Sequence, residues 1–196
     1  MADAGRVISG SARGVRLAAP GPGTRPLTDR VKQTLFAVLE PELEDAIVLD
    51  LFAGSGAGGI EALSRGAARA VFVEKDAGAA RVIAENLRRA QLEPAGRVVR
   101  RDAITWLADP AGAAAEGPFD IVLVDPPYAD TGALVAALAQ VAPHVRDGGQ
   151  VISKHFWRDA PPAVIGLLAS ERERRFGETA LIFYRRRPAP EETPTP

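Results

Sequence analysis

Two segments of this 196-residue chain hold side chains whose types and spacing could do chemistry. In the first, an apolar run ends at Asp50 and is followed by Leu51, Phe52, Ala53, Gly54, Ser55 and Gly56, then by Gly58-Gly59 and a helical run at 60–65. Strand, glycine turn and helix form one unit. Glycines there permit positive φ and close approach of a ligand to the backbone, and the helix start offers unpaired N–H groups. Gly54, Gly56 and Gly59 match the spacing of a dinucleotide loop, which by itself leaves two ligand classes open. Glu74, at the end of the next apolar run, could accept ribose hydroxyls in either class. Asp50 separates them, because a carboxylate just ahead of the glycines repels a pyrophosphate and suits an ammonium or sulfonium charge. S-adenosylmethionine carries both. Asp102, followed by Ala103 after a third apolar run, could meet an adenine amino group or simply cap a helix.

The second segment is Asp125-Pro126-Pro127-Tyr128, directly after Phe119-Asp-Ile-Val-Leu-Val124. Two prolines fix the backbone and remove two N–H donors, leaving carbonyl acceptors at the carboxyl end of a strand, where open α/β sheets bind ligands. An exocyclic base amine is a poor nucleophile because its lone pair is delocalised into the ring. Acceptors for its two hydrogens redirect that pair and stabilise the cationic nitrogen that develops on attack; Asp125 and the Pro126 carbonyl supply them. Tyr128 can stack on the base. The chain has no cysteine, so methylation of carbon through a cysteine adduct is excluded, along with disulfides and thiolate metal sites, and no metal is expected.

The pattern around these segments predicts what positions them. Short apolar runs at 47–52, 70–73, 98–99, 119–124 and 150–153 alternate with segments of helical length, as in a parallel α/β sheet. An alternating stretch around Arg6–Ser9 and Val15–Leu17 reads as a β-hairpin, and Thr28-Asp29 as the capped start of an amphipathic helix. Asp147-Gly-Gly149 reads as a turn, 111–117 as a loop of small residues, and 171–184 as two strands meeting at Gly177. This divides the chain into a hairpin extension (1–26), one domain (27–186) and a proline-rich disordered tail (187–196).

With 24 Lys+Arg against 25 Asp+Glu the chain is nearly neutral, yet between Arg6 and Lys32 six positive side chains face only Asp29. Arg6, Arg13, Arg16, Arg30 and Lys32 are candidate phosphate contacts. No apolar run approaches the ~20 residues of a membrane span, and a cytoplasmic, monomeric protein is expected. Trp106 and Trp157 read as packing residues, while Lys154 and His155, ending the 150–153 run, have open roles.

Asp50–Gly56 with Asp125–Tyr128 resembles class I S-adenosylmethionine-dependent methyltransferases of exocyclic amines. Arg6-Val-Ile-Ser-Gly10 with Gly14-Val-Arg-Leu17, Thr24-Arg-Pro-Leu-Thr-Asp-Arg-Val31, and Arg175-Phe-Gly-Glu-Thr-Ala180 narrow it to the bacterial 16S rRNA guanine-N2 methyltransferase family known as RsmD, over about Arg6 to Arg185. The resemblance implies a Rossmann-like, seven-stranded, mostly parallel sheet with the hairpin as an N-terminal extension, and methyl transfer to one guanine N2 in small-subunit rRNA. Asp50, Phe52, Ala53, Gly54, Ser55, Gly56, Glu74 and Lys75 would hold the methionine and ribose parts of the cofactor, with Asp102 and Ala103 near its adenine. Arg25 and Thr28 would lie beside the pocket, and Asp125, Pro126, Pro127 and Tyr128 would hold the guanine amine. The rivals are a DNA adenine-N6 or cytosine-N4 methyltransferase, a nicotinamide-dependent oxidoreductase, and a non-catalytic RNA-binding protein on the same scaffold.

Overall fold

The computed structural model describes residues 3–21, 27–128 and 130–189. A hairpin of β1 (Asp3–Arg6) and β2 (Arg16–Ala18) is followed by α1 (Asp29–Leu39), β3 (Ile47–Leu51), α2 (Ala57–Ser64), β4 (Arg69–Val73) and α3 (Ala77–Ala90). The chain continues through β5 (Gly96–Val99), α4 (Ala103–Ala108), α5 (Ala113–Glu116), β6 (Phe119–Val124), α6 (Thr131–Val141) and β7 (Val145–Phe156). Strands β8 (Val164–Ile165), β9 (Leu168–Phe176) and β10 (Thr179–Arg186) complete it.

The sheet runs β5-β4-β3-β6-β7-β10-β9-β8, parallel from β5 to β7 and antiparallel beyond. Its central strands are nearly continuous Val/Ile/Leu runs because helices cover both faces. One face packs Val48, Phe72 and Ile121 against Phe36, Ile60 and Ile83 of α1, α2 and α3. The other packs Leu49, Val71 and Val122 against Trp106 of α4 and Leu138 of α6, so Trp106 is a core residue as expected.

Three expectations need correction. The sheet has eight strands rather than seven, because the two-residue β8 pairs outside β9; a strand that short, just after Pro161-Pro162, leaves no alternation to read. Asp147–Gly149 lies within the 12-residue β7. Gly148, at φ 75°, and a register shift opposite Phe119–Ile121 absorb it as an irregularity instead of a turn. The 111–117 stretch contains the single-turn helix α5. The expected tail lies largely outside the described residues.

The hairpin is not a free arm. Glu61 on α2 accepts the N–H groups of Ile8 (2.8 Å) and Ser9 (3.1 Å), and Ser64 Oγ accepts that of Ala12 (2.9 Å). Asn86 on α3 accepts the N–H of Ala18 (2.8 Å) and donates from Nδ2 to the carbonyls of Ala18 and Ser55, each at 2.9 Å. One buried amide thus ties the hairpin to the glycine loop. Removing it orphans three backbone groups, so Asn86→Ala should lose about 2–4 kcal/mol of unfolding free energy in urea titrations. A loss well under ~1 kcal/mol would mean that apolar packing alone seats the hairpin.

Candidate active site

Parallel pairing of β3 with β6 puts Leu51 beside Val124, and the two chemical segments therefore leave the sheet side by side at its carboxyl edge. The loop after β3 is shaped by three positive φ angles, Phe52 (59°), Gly54 (56°) and Gly56 (75°). A non-glycine residue in the left-handed region costs on the order of 1–3 kcal/mol and signals a constrained backbone. Glu74 bridges this loop to the next one, accepting the Gly54 N–H (2.9 Å) and the Asp76 N–H (2.9 Å). Asp50 Oδ2 accepts the Gly59 N–H (2.8 Å) and pins the start of α2 beneath the loop. Gly59 must lack a side chain, since a Cβ would lie 2.3 Å from the Phe72 ring.

The loops enclose a cavity of about 880 Å³, the scale of a cofactor site. Asp50, Phe52, Ala53, Gly54, Ser55, Glu74, Lys75, Ala103 and Asp125–Tyr128 line it. Ala4, Ala19, Pro20 and Gly21 of the hairpin region and Leu27 and Leu35 of the α1 region form further wall. Among the described residues its charged lining is six acids, Asp50, Glu74, Asp76, Asp125, Asp159 and Glu178, against Lys75 and Lys154. Burial pushes the Asp50 carboxyl up to about 8; the Gly59 N–H opposes this and the nearby Asp125 and Glu74 charges add to it. A cavity with this acidic lining fits a ligand bearing sulfonium and ammonium charges, with apolar wall at Phe52, Val73 and Ala103 for a planar base.

Asp125 is not free. Lys154 Nζ on β7 donates to both of its oxygens, at 2.7 and 2.9 Å, and stands 5.0 Å from the Tyr128 ring centroid. The Tyr128 hydroxyl shares a 2.7 Å hydrogen bond with Thr179 Oγ1, and its ring lies tilted against Phe156 with centroids 6.5 Å apart. The Pro127 carbonyl accepts the Asp130 N–H (2.8 Å), a bond that holds the chain beyond the prolines. Burial raises the Asp125 carboxyl above its ordinary range, and the charge and hydrogen bonds of Lys154 oppose the rise.

Other sequence candidates sit elsewhere. Gly56 lies behind the wall, where a Cβ would meet Ile83 and Ile60. Asp102 caps α4, accepting from Ile104 and Thr105 at 3.1 Å each, while its neighbour Ala103 reaches the cavity. Thr28 accepts from Val31 N–H as the cap of α1 and is off the cavity lining, which Leu27 reaches instead. Arg25 lies outside the described residues. Lys32 is corrected: it is fully buried, its Nζ donates to the Arg6 carbonyl, and no phosphate can reach it. Arg6, Arg13, Arg16 and Arg30 are exposed, Arg6 paired with Asp29 (3.3 Å) and Arg16 with Asp3 (3.3 Å). Trp157 is half-buried rather than in the core, with the Arg175 guanidinium 3.6 Å and that of Arg158 4.9 Å from its ring centroid. His155 is buried, and burial lowers its basicity.

The sequence profile of the family described as Conserved hypothetical protein 95, the RsmD family, matches residues 5–185. The chain belongs to this family. It is 37% identical over 185 residues to a Bacillus subtilis protein named "Putative rRNA methyltransferase YlbH", covering 93% of this chain and 99% of that one. It is 46% identical over 124 residues to Ribosomal RNA small subunit methyltransferase D of Escherichia coli, covering 63% of this chain and 60% of that protein. The solved structure described as "Putative methyltransferase yhhF from Escherichia coli" superposes with a TM-score of 0.81 at 36% identity, covering 93% of this chain and 97% of the other. An RNA methyltransferase of Salinibacter ruber in complex with S-adenosyl-L-homocysteine shares the fold alone, with a TM-score of 0.63 at 16% identity over 86% of this chain and 98% of that one.

This RsmD-family chain is therefore a methyltransferase whose cofactor is S-adenosylmethionine, and the nicotinamide reading of the glycine loop falls away. Asp50 makes a prediction about cofactor binding. In the free protein it keeps its proton below a pH of about 8, and a cationic ligand favours the carboxylate. Binding at neutral pH should thus expel a proton, and affinity should climb with pH until about 8. Calorimetry in buffers of different ionisation enthalpy reads this directly; binding without proton release would remove Asp50 from the cationic end of the ligand.

Proposed function

We propose that this chain methylates the exocyclic N2 amine of a guanine in 16S rRNA, as a monomeric cytoplasmic enzyme acting on the small ribosomal subunit or an assembly intermediate. The observation that carries the reading is the acceptor cluster: a carboxylate, a proline backbone and an aromatic ring ending a central strand, facing a cavity suited to a cationic cofactor. The names of its relatives support ribosomal RNA as the substrate.

When bound, S-adenosylmethionine supplies an electrophilic methyl group on a cationic sulfur. The chain's residues prepare the nucleophile. Guanine presents N1–H beside its N2 amine, so an ionised Asp125 can accept from two adjacent donors. The Pro126 carbonyl takes the remaining amine hydrogen, and with both hydrogens held the nitrogen lone pair is turned out of conjugation. The Asp125 charge stabilises the positive charge that grows on nitrogen and can take the proton the product releases. Tyr128, already braced by Thr179 and Phe156, stacks on the base, a contact worth about 1–3 kcal/mol. A guanine within a helix must leave the stack to reach this cavity.

The exposed hairpin arginines Arg13 and Arg16, with Arg6 and Arg30, are proposed to hold the RNA backbone. Their acidic neighbours do not block this, because exposed pairs are worth ~0–1 kcal/mol and exchange readily for phosphate. Replacing both Arg13 and Arg16 by Ala should weaken RNA binding and flatten its salt dependence, by about 1 in the log–log slope per lost contact. Unchanged slopes would place the RNA elsewhere.

The deciding assay transfers labelled methyl groups to undermethylated small subunits, free 16S rRNA and DNA, followed by nucleoside analysis. N2-methylguanosine is expected, and Asp125→Ala should lower its formation at least ~100-fold with cofactor affinity kept. Label in DNA as methyladenine or methylcytosine would instead support the DNA amino-methyltransferase reading, and wild-type rates from Asp125→Ala would remove the carboxylate from the amine site.

A further inference from the structure

Lys154 enters the site from β7 by strand alternation. Ile152, Lys154 and Phe156 line the cavity while Ser153 and His155 take the opposite face of the sheet. Because Val124 of β6 pairs with Ser153 of β7, the residues one step further, Asp125 and Lys154, emerge as neighbours. The lysine side chain is only 10% exposed, and its Nζ is almost equidistant from the two carboxylate oxygens. It therefore occupies the edge between them, and each oxygen keeps an outer lone pair for another donor.

We propose that Lys154 is the positioning residue of the amine-accepting site: its ammonium clamps both oxygens of Asp125 beside the Tyr128 ring, so that carboxylate and ring meet the base as one preset unit. The inference rests on the function proposed above. A buried ion pair is poor ground for stability, since desolvating two charges offsets their attraction and an apolar residue of similar volume often serves as well. The pair does decide the state of Asp125. As a carboxylate it accepts amine hydrogens; protonated, it would offer a donor to a donor. The other ionisable groups of the same cavity supply no countering charge: Asp50 from β3, Glu74 from the end of β4, and Asp159 and Glu178 are all acidic. Lys75 and Asp76 share that wall. Among the described residues, Lys154 is the cation in hydrogen-bond contact with Asp125, and it counters the burial that raises this carboxyl.

The test compares Lys154→Met and Lys154→Arg with the unaltered enzyme in single-turnover methyl transfer to the same RNA across the acid to alkaline range. In parallel, carbon-13 NMR follows the Asp125 carboxyl in the free proteins. In Lys154→Met the acid limb of the rate profile and the carboxyl titration should both move up by about 1–2 pH units. The rate should then fall ~10–100-fold at neutral pH and recover in alkali, with cofactor affinity kept. Lys154→Arg, which preserves the charge, should hold the limb near its original position. A limb and a carboxyl titration unmoved in Lys154→Met, or a loss equal at every pH, would overturn the proposal and leave Lys154 a packing residue. If the unaltered enzyme labels no guanosine, the functional reading fails, while the NMR titration still decides whether Lys154 sets the state of Asp125.

Discussion

A carboxyl group at the end of a buried parallel strand resists ionisation, and this site holds two, on adjacent strands, in one cavity. Low dielectric favours their neutral forms, and each one's charge would disfavour the other's. The protein answers differently at the two positions. Asp50 has a backbone N–H and, among the described residues, no ion-pair partner, and burial pushes its carboxyl up to about 8. Asp125 has Lys154, whose charge and two hydrogen bonds oppose the rise that burial causes. The same cavity then holds one carboxyl pinned by a backbone N–H beside another held by an ammonium. Two strand-end aspartates of one residue type thus meet different surroundings through their neighbours alone.

The scaffold makes this division durable. Asp50 and Asp125 are set by the β3–β6 register, Lys154 by the β6–β7 register, and Glu74 by the β3–β4 register. A slip of one residue in any pair would turn a functional side chain to the opposite face, where the helix-covered core cannot accept a charge. The continuous apolar runs therefore stabilise the fold and at the same time forbid the misalignments that would disassemble the site. The hairpin extends the principle, since Asn86 holds its end and the Ser55 carbonyl in the same hydrogen-bond set. A segment first read as an outlying RNA contact is also part of the cavity wall, through Ala4 and Ala19.

What could be read from the sequence follows from how local each feature is. Asp50, the glycines and Asp125–Tyr128 announce themselves because strand, turn and ligand-facing residue lie within a few positions. Glu74 follows from its place at the end of the next apolar run. Lys154 was the open residue, because its partner lies 29 positions away and only the order of strands brings them together. That order had a signal, since both runs end in a charged residue at matching positions, but reading it required knowing that β6 and β7 are adjacent. Lys32 misled for the converse reason. A helix lysine following exposed arginines reads as surface, whereas the hairpin folds over α1 and gives its ammonium the Arg6 carbonyl in place of water. Asp147-Gly-Gly149 reads as a turn because a glycine pair commonly ends a strand, while in the folded chain β6 pairs with β7 on both sides of the irregularity, at Val145 and from Gln150 onward.

The aromatic side of the site links this electrostatic core to the surface. Tyr128 leans on Phe156, Phe156 on Trp157, and Trp157 carries Arg175 against its ring. The series starts at the amine acceptors and ends at an exposed cationic strand, β9, whose arginines are interleaved with Glu171 and Glu173. Those acids partly cancel the field that would draw in a polyanion, so net charge cannot be what selects the face. Geometry remains: a planar ring beside a half-buried ion pair, on the wall of a cavity with a mainly acidic lining. A nucleic acid can satisfy such a site only by leaving its backbone outside and sending in a neutral base. Under the proposed function, the acids that fit the cavity for a cationic cofactor also favour entry of a base over entry of its phosphate.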